Sequence, residues 1–139
     1  MKKVIAFGTF DIFHQGHRSY LEQAKKLGEY LIVVVARDAT VFAVKKKKAV
    51  NGEQERLRGV RSNKIADEVV LGGLKDKFKV LATYQPDVVA LGYDQRVNLA
   101  KLREKLKEFK LDAKIVRLKA YEPDVYKSSK LGQKLGSSK

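Results

Sequence analysis

The chain has no cysteine among its 139 residues. This excludes disulfides and thiolate metal sites and leaves any catalysis to histidine, lysine, aspartate and hydroxyl groups. Histidine is scarce too, with two in all. Aromatic residues make up 9% and do not interleave with basic ones in the way that stacks single-stranded bases. No zinc-finger spacing is present either, so nucleic acid is set aside as the main partner. No apolar run nears the roughly 18 residues that span a bilayer. The opening MKKVIAFGT enters a strand-like pattern with no signal-peptide cleavage region, so a cytoplasmic protein with no membrane partner is expected. Acids are also in deficit. Thirty Lys and Arg against sixteen Asp and Glu give a formal charge of +14, which steers polyanions or phosphorylated small molecules toward the protein.

With 44% hydrophobic residues, the length suits one globular domain over 1–139. Residues 132–139, ending KLGSSK, are expected to be a frayed tail. No internal repeat is evident. Short β-branched runs recur as KVIAF, LIVVVA at 31–36, EVVLG at 68–72, DVVALG at 87–92 and AKIVRL at 113–118. Helical spacing fills the gaps. Tyr20, Leu21, Ala24 and Leu27 share one face, with Gly28 as the expected C-terminal stop. Segments 53–63, 75–84 and 98–109 read as further helices, and Leu99, Leu102, Leu106 and Phe109 form the stripe of the last. Pro86 marks re-entry into a strand. Strand runs apolar on both faces and alternating with helices predict α/β architecture: a doubly wound, Rossmann-like fold with a five-stranded parallel sheet. Such sheets bind ligands beyond the carboxyl ends of their strands. The segments that fall there are GTFDIFHQGH, ARDATV, GGLKD, GYDQRV and KAYEPDVYKSSK, all polar and rich in Gly and Asp.

GTFDIFHQGH holds both histidines, His14 and His17, where a strand ends and a helix begins. Beside the free N–H groups of a helix start, two imidazoles suggest phosphate chemistry. Gly8 would let the backbone pass close to a ligand, and Gly16 would keep the helix start open. The alternative reading makes His17 a helix-start residue and His14 a loop residue satisfied by a backbone group. Two histidines without a matching carboxylate pattern make a poor zinc site.

GTFDIFHQGH resembles the GTFDxxHxGH signature of the HxGH nucleotidyltransferases, the cytidylyltransferase-like superfamily. The similarity covers most of the chain. ARD at 36–38, KKKKA at 45–49, EQER at 53–56, LGG at 71–73, PDVVALGYDQ at 86–95 and YKSSK at 126–130 fall in the order that the superfamily expects. The ARD and GYDQ versions are most similar to the archaeal-type FAD synthetase (FMN adenylyltransferase) branch, with glycerol-3-phosphate cytidylyltransferase next. The resemblance implies transfer of AMP from ATP to FMN, giving FAD and pyrophosphate, with Mg²⁺ or another divalent ion on the phosphates. The alternative is CTP with glycerol 3-phosphate or a similar acceptor, giving a CDP-alcohol. The RTEGIS preamble of the glycerol-phosphate enzymes is missing, which weighs against that alternative. A rival of another class is a non-catalytic basic module that binds nucleotides or RNA. Small sheets of this kind often dimerise, so a homodimer stays open.

By the same resemblance, Gly8, Thr9 and Phe10 line the nucleotide, and His14 and His17 hold its phosphates in the transition state, with Gly16 at the helix start. Asp11 serves the turn or the metal. Lys45 and Lys47 of the run at 45–48 enter the site, where the alternative is a solvated loop. Arg56 contacts phosphate, where the alternative is a surface ion pair. Gly92 and Asp94 face the nucleotide; Asp94 alternatively caps the next helix or helps to hold Mg²⁺. Ser128 and Ser129 place hydroxyls on the phosphates at a second helix start. Phe42, Phe78, Tyr93 and Tyr121 are candidates for an apolar wall against an isoalloxazine ring.

Overall fold

The computed structural model describes residues 1–93, 95 and 97–120. Asp94, Ser128, Ser129 and Tyr121 lie outside them, as does the expected tail.

All five expected strands are present: β1 (Lys3–Gly8), β2 (Tyr30–Val35), β3 (Glu68–Leu71), β4 (Val88–Leu91) and β5 (Lys114–Arg117). They form one parallel sheet in the order β3-β2-β1-β4-β5. The chain winds outward from β1 through β2 to β3, then crosses back to β4 and β5, so the reversal of strand order lies between β1 and β4. Five helices are described: α1 (Gln15–Lys25), α2 (Asp38–Lys45), α3 (Glu53–Ser62), α4 (Val80–Tyr84) and α5 (Leu99–Glu108).

Strand alternation sorts the core into two layers. Val4 and Ala6 of β1 and Leu31, Val33 and Val35 of β2 face one side, where they pack on Leu21 and Ala24 of α1 and Leu57 and Val60 of α3. Ile5, Ile32, Val34, Val89 and Leu91 face the other, against Leu81 of α4 and Leu102 and Leu106 of α5. Both faces of the central strands are therefore dry, and each fully buried Val, Ile or Leu contributes about 1.5–3 kcal/mol.

Three local expectations change. Residues 75–79 are not helical. The Asp76 carboxylate accepts from the Phe78 N–H at 3.0 Å and turns the chain, leaving one short helix from Val80. The segment ARDATV, expected to be polar and irregular after β2, instead opens α2, which Lys46 ends in the left-handed conformation at φ 62°. Gly28 does not act as a left-handed stop, because α1 closes on Lys26 in right-handed geometry. Its missing side chain serves a close approach instead: a Cβ there would stand 2.7 Å from the Lys2 carbonyl oxygen and 2.8 Å from Val4 Cγ2.

β1 pairs with β2 as far as Gly8↔Val35 but with β4 only as far as Ala6↔Ala90. Beyond that point the two strands part, and a crevice opens at the strand-order reversal. The turn after β1 starts at this edge of the sheet.

Candidate active site

Gly8 ends β1, and Phe10 follows with φ 54°. This left-handed conformation costs a bulky residue about 1–2 kcal/mol. Burial holds it there. The ring is 3% exposed, stacks on Phe13 and Tyr20 at 6.3 Å and meets the His17 ring edge-on at 5.2 Å. It also lies where a side chain at Gly8 would be, 2.6 Å from an added Cβ. The side chain of Phe10, expected to line the nucleotide, is instead packed in the core, where it forms a pedestal.

On this pedestal the two histidines cap α1 reciprocally. The Gly16 N–H donates to His14 Nδ1 at 3.0 Å, and the His14 N–H donates to His17 Nδ1 at 3.3 Å. The two rings stack at 3.9 Å. Each Nδ1 accepts, so the proton of each neutral ring sits on Nε2. The helix-start reading and the anion reading thus describe one structure, in which capping selects the tautomer. Burial is the main cause that lowers the His17 pKa from 6.5 to about 4, reinforced by His14 and Lys45 and opposed by the Ile12 carbonyl. At neutral pH His17 is an uncharged N–H donor. A side chain at Gly16 would stand 2.8 Å from His14 Cε1, so this position is open for the imidazole.

Arg56 is 2% exposed, which overturns the surface-ion-pair reading. Its Nε donates to the Asn51 carbonyl at 3.0 Å. One terminal nitrogen donates to Thr9 and Ala36 carbonyls at 3.0 and 2.8 Å, and the other to Asp38 Oδ1 at 2.7 Å. The guanidinium thereby joins the connections that follow β1, β2 and α2, and the fork expected on phosphate is directed at backbone carbonyls. The Arg56 hydrogen bond holds the Asp38 pKa below the usual carboxylate value. Asp11 belongs to the same cluster. Its two carboxylate oxygens accept from Val50 and Asn51 N–H groups at 2.8 Å each, and its carbonyl accepts from Asn51 Nδ2 at 2.5 Å. Burial raises its pKa, but those two N–H groups with Arg56 and Lys45 outweigh this and lower it overall.

The expected alternation of inward lysines fails because the run is not extended. Lys45 is the last residue of α2 and Lys46 is left-handed. Lys45, Lys47 and Lys48 are all exposed; of the three, Lys45 is the one whose charge lowers the pKa of both His17 and Asp11.

Gly92 and Tyr93 follow β4, and Gln95, a residue the sequence reading did not single out, fills the mouth of the crevice. Its Nε2 donates to the Phe7 carbonyl at 3.0 Å, and its Oε1 accepts from the Gly92 N–H at 3.0 Å. The Tyr20 hydroxyl shares its proton between Phe7 and Ala90 carbonyls at 2.9 and 3.0 Å, one on each parted strand. Burial pushes this phenol well above its ordinary pKa, so it stays a donor. Arg117 of β5 holds the Gly92 and Gln95 carbonyls. Phe78 is buried edge-on against Phe7 and forms no wall, whereas Phe42 and Tyr93 are exposed. Two shallow hollows lie elsewhere, along β3 and between α5 and β5, and hold none of these residues.

The arrangement offers an anion two oriented imidazole donors, a helix start and a nearby lysine. No sulfur or carboxylate nucleophile is among these groups. Among the described residues no cluster of three or more His, Cys, Asp or Glu is placed to hold a metal, and no helix is long and apolar enough to cross a membrane.

The family model described as cytidylyltransferase-like matches residues 5–134. An FAD synthase of Ferroglobus placidus is 48% identical over 88% of this chain and 79% of its own length. One of Archaeoglobus profundus is 46% identical over 93% and 82%. Among solved structures, the lipopolysaccharide core biosynthesis protein from Thermoplasma volcanium superposes with a TM-score of 0.81 at 40% identity, covering 88% of this chain and 99% of that one.

Proposed function

The chain belongs to the cytidylyltransferase-like family and is a nucleotidyltransferase, and from that premise we propose that it transfers AMP from ATP to FMN, giving FAD and pyrophosphate. The observation that carries the chemistry is the reciprocal cap, which occupies both Nδ1 atoms and puts the proton of each imidazole on Nε2 at a helix start, with the Ile12 carbonyl as the resting partner of the His17 ring. The FMN phosphate oxygen attacks the α-phosphorus in line. A new P–O bond forms as the bond to the β-phosphate bridging oxygen breaks, and the electron pair leaves with pyrophosphate. Charge gathers on the equatorial oxygens, where fixed donors act most strongly. His14 and His17 meet that charge, and Lys45 neutralises the phosphates beside them. The remaining work is positioning, so no side chain acts as nucleophile.

Mg²⁺, when bound, neutralises the triphosphate and the leaving pyrophosphate. It would ride on the phosphates, while the Asp11 carboxylate holds the Val50 and Asn51 N–H groups. Asp94, Ser128 and Ser129 keep the nucleotide-binding roles that the resemblance gives them. In this reading the chain is one transferase domain, working in the cytoplasm where ATP and FMN are available.

The choice of flavin over a polyol phosphate is supported by the identity to FAD synthases. It is also supported by the apolar side chains around the carboxyl edge: Ile12 is 61% exposed, Phe42 55%, Val50 77% and Tyr93 59%. A small polar acceptor has no use for such a rim, whereas a flat tricyclic ring packs on one.

The test is a grid of nucleotides and acceptors read by mass spectrometry. FAD formation from ATP and FMN should show a higher kcat/KM than formation of any CDP-alcohol from CTP. Pyrophosphate release from CTP and glycerol 3-phosphate, with FMN inert, would overturn the flavin assignment and leave the two-histidine chemistry standing.

A further inference from the structure

The connection from Lys46 to Gly52 has little to hold it in place. It begins within four consecutive lysines, Lys45–Lys48, which repel one another, and Lys46, Lys47, Lys48 and Val50 are all exposed. Val50, its large apolar side chain, is 77% exposed and anchors nothing. Its two ends are held by the helix-end bonds Lys46 N–H to the Phe42 carbonyl and Arg56 N–H to the Gly52 carbonyl; between them, among the described residues, it is held by Arg56 and Asp11. Arg56 takes the Asn51 carbonyl from below. Asp11 takes the Val50 and Asn51 N–H groups on its carboxylate and the Asn51 side chain on its carbonyl. Asp11 lies three residues before His14 in the same turn. It thus ties the segment that follows Lys45 to the turn that carries the histidines, and the Lys45 charge bears on both Asp11 and His17.

We infer that Asp11 is a positioning residue: its carboxylate latches the lysine-bearing connection onto the histidine turn and acts on the reaction through Lys45, not as a ligand for a divalent ion. For the part played by Lys45 this rests on the nucleotidyl-transfer reading; the latch itself does not. Each oxygen already accepts one N–H group, so an ion on this carboxylate would share it with the latch and weaken the bonds that close it.

The test is a double-mutant cycle of Asp11→Asn with Lys45→Ala, alongside amide exchange at Val50 and Asn51 in the free protein. An amide side chain offers one acceptor oxygen for two N–H groups and sets an NH₂ against the other. Exchange at Val50 or Asn51 should therefore speed up about tenfold or more, the loss of one charge-assisted hydrogen bond. The KM for ATP should rise about tenfold with kcat changed far less, and in the Lys45→Ala background Asp11→Asn should add nothing further. The Mg²⁺ concentration for half-maximal activity should not move at saturating ATP. Asn51→Ala, which opens the latch from its other side, should raise the KM in the same direction and serves if Asp11→Asn does not fold.

Unchanged exchange at both amides would overturn the latch. An equal cost of Asp11→Asn with and without Lys45 would overturn the route through Lys45, and a shifted Mg²⁺ requirement with an unaltered KM would make Asp11 a metal ligand after all. Failure of the functional reading looks different, since wild type would then turn over neither ATP nor FMN while the exchange experiment still reported on the latch.

Discussion

An ordinary histidine gains its charge as the pH falls through about 6.5; His17 should stay neutral until near pH 4. Its ring is packed between His14 at 3.9 Å and Phe10 and Phe13 at 5.2 and 5.4 Å. Its Nδ1 lone pair is engaged by the His14 N–H. Burial, with repulsion from His14 and Lys45, lowers the pKa from 6.5 to about 4. At about pH 5.5 an unperturbed imidazole would be about 90% protonated and His17 about 3%. The stability consequence has a definite sign. Between pH 6.5 and 4 the unfolded chain binds a proton that the native ring refuses, so stability falls with falling pH across that window and levels off below it. The full shift would correspond to about 3 kcal/mol, but a half-buried ring is screened by solvent, and about 1–2 kcal/mol is expected. Long-range ¹H–¹⁵N spectra of the free protein should show His17 with a bare Nδ1 and a protonated Nε2, unchanged from about pH 8 to 5. Urea unfolding across the same range, with His17→Gln as the reference, isolates its contribution from that of the carboxylates. Titration of His17 near 6.5, or a proton on Nδ1, would refute the argument that capping and burial set its state.

Arg56→Met should cost about 3–5 kcal/mol in urea unfolding, because it strands three carbonyls and Asp38, and a loss below about 1 kcal/mol would mean that water replaces the guanidinium. Lys45→Ala should raise the KM for ATP about tenfold, the size of one charged contact to phosphate, while Lys46→Ala and Lys48→Ala change it less than twofold; equal effects would return the run to a solvated face. Tyr20→Phe should cost about 1–2 kcal/mol in thermal or urea unfolding, because it removes the buried hydroxyl that joins the Phe7 and Ala90 carbonyls across the two strands.

Strands were readable because a parallel sheet covered on both faces demands unbroken runs such as LIVVVA, and no tertiary knowledge is needed to see them. The helix at 38–45 was not. DATVFAVK is short and β-branched, and its start is held by partners from elsewhere: Asp38 bonds Arg56, while its N–H donates to Glu53. The stretch at 75–79 failed in the opposite sense, since its helical spacing loses to an Asp76 turn. Within the site, His14, His17, Gly8 and Gly16 could be found from the motif, because helix-start chemistry is local. Arg56 and Phe10 were placed by motif in the right neighbourhood but with the wrong orientation. Arginine is usually exposed, and only the folded chain shows that carbonyls from three distant connections converge on this one. Gln95 and the Tyr20 hydroxyl carried no local signal. Their task exists only because β1 and β4 part after three paired residues.

The convergence of those connections on Arg56 also bears on how the molecule comes apart. Loops normally open independently and at low free energy, each fraying on its own timescale. Here the segments after β1, β2 and α2 share one buried tether rooted in α3, so none can peel away without stranding a charge that the others must then accommodate. They should open as a single cooperative unit together with α3, with protease sensitivity appearing in all three at the same denaturant concentration. The crevice edge would then be either wholly formed or wholly lost, and damage to any one of these segments would be felt as inactivation of the whole rim before the sheet itself unfolds.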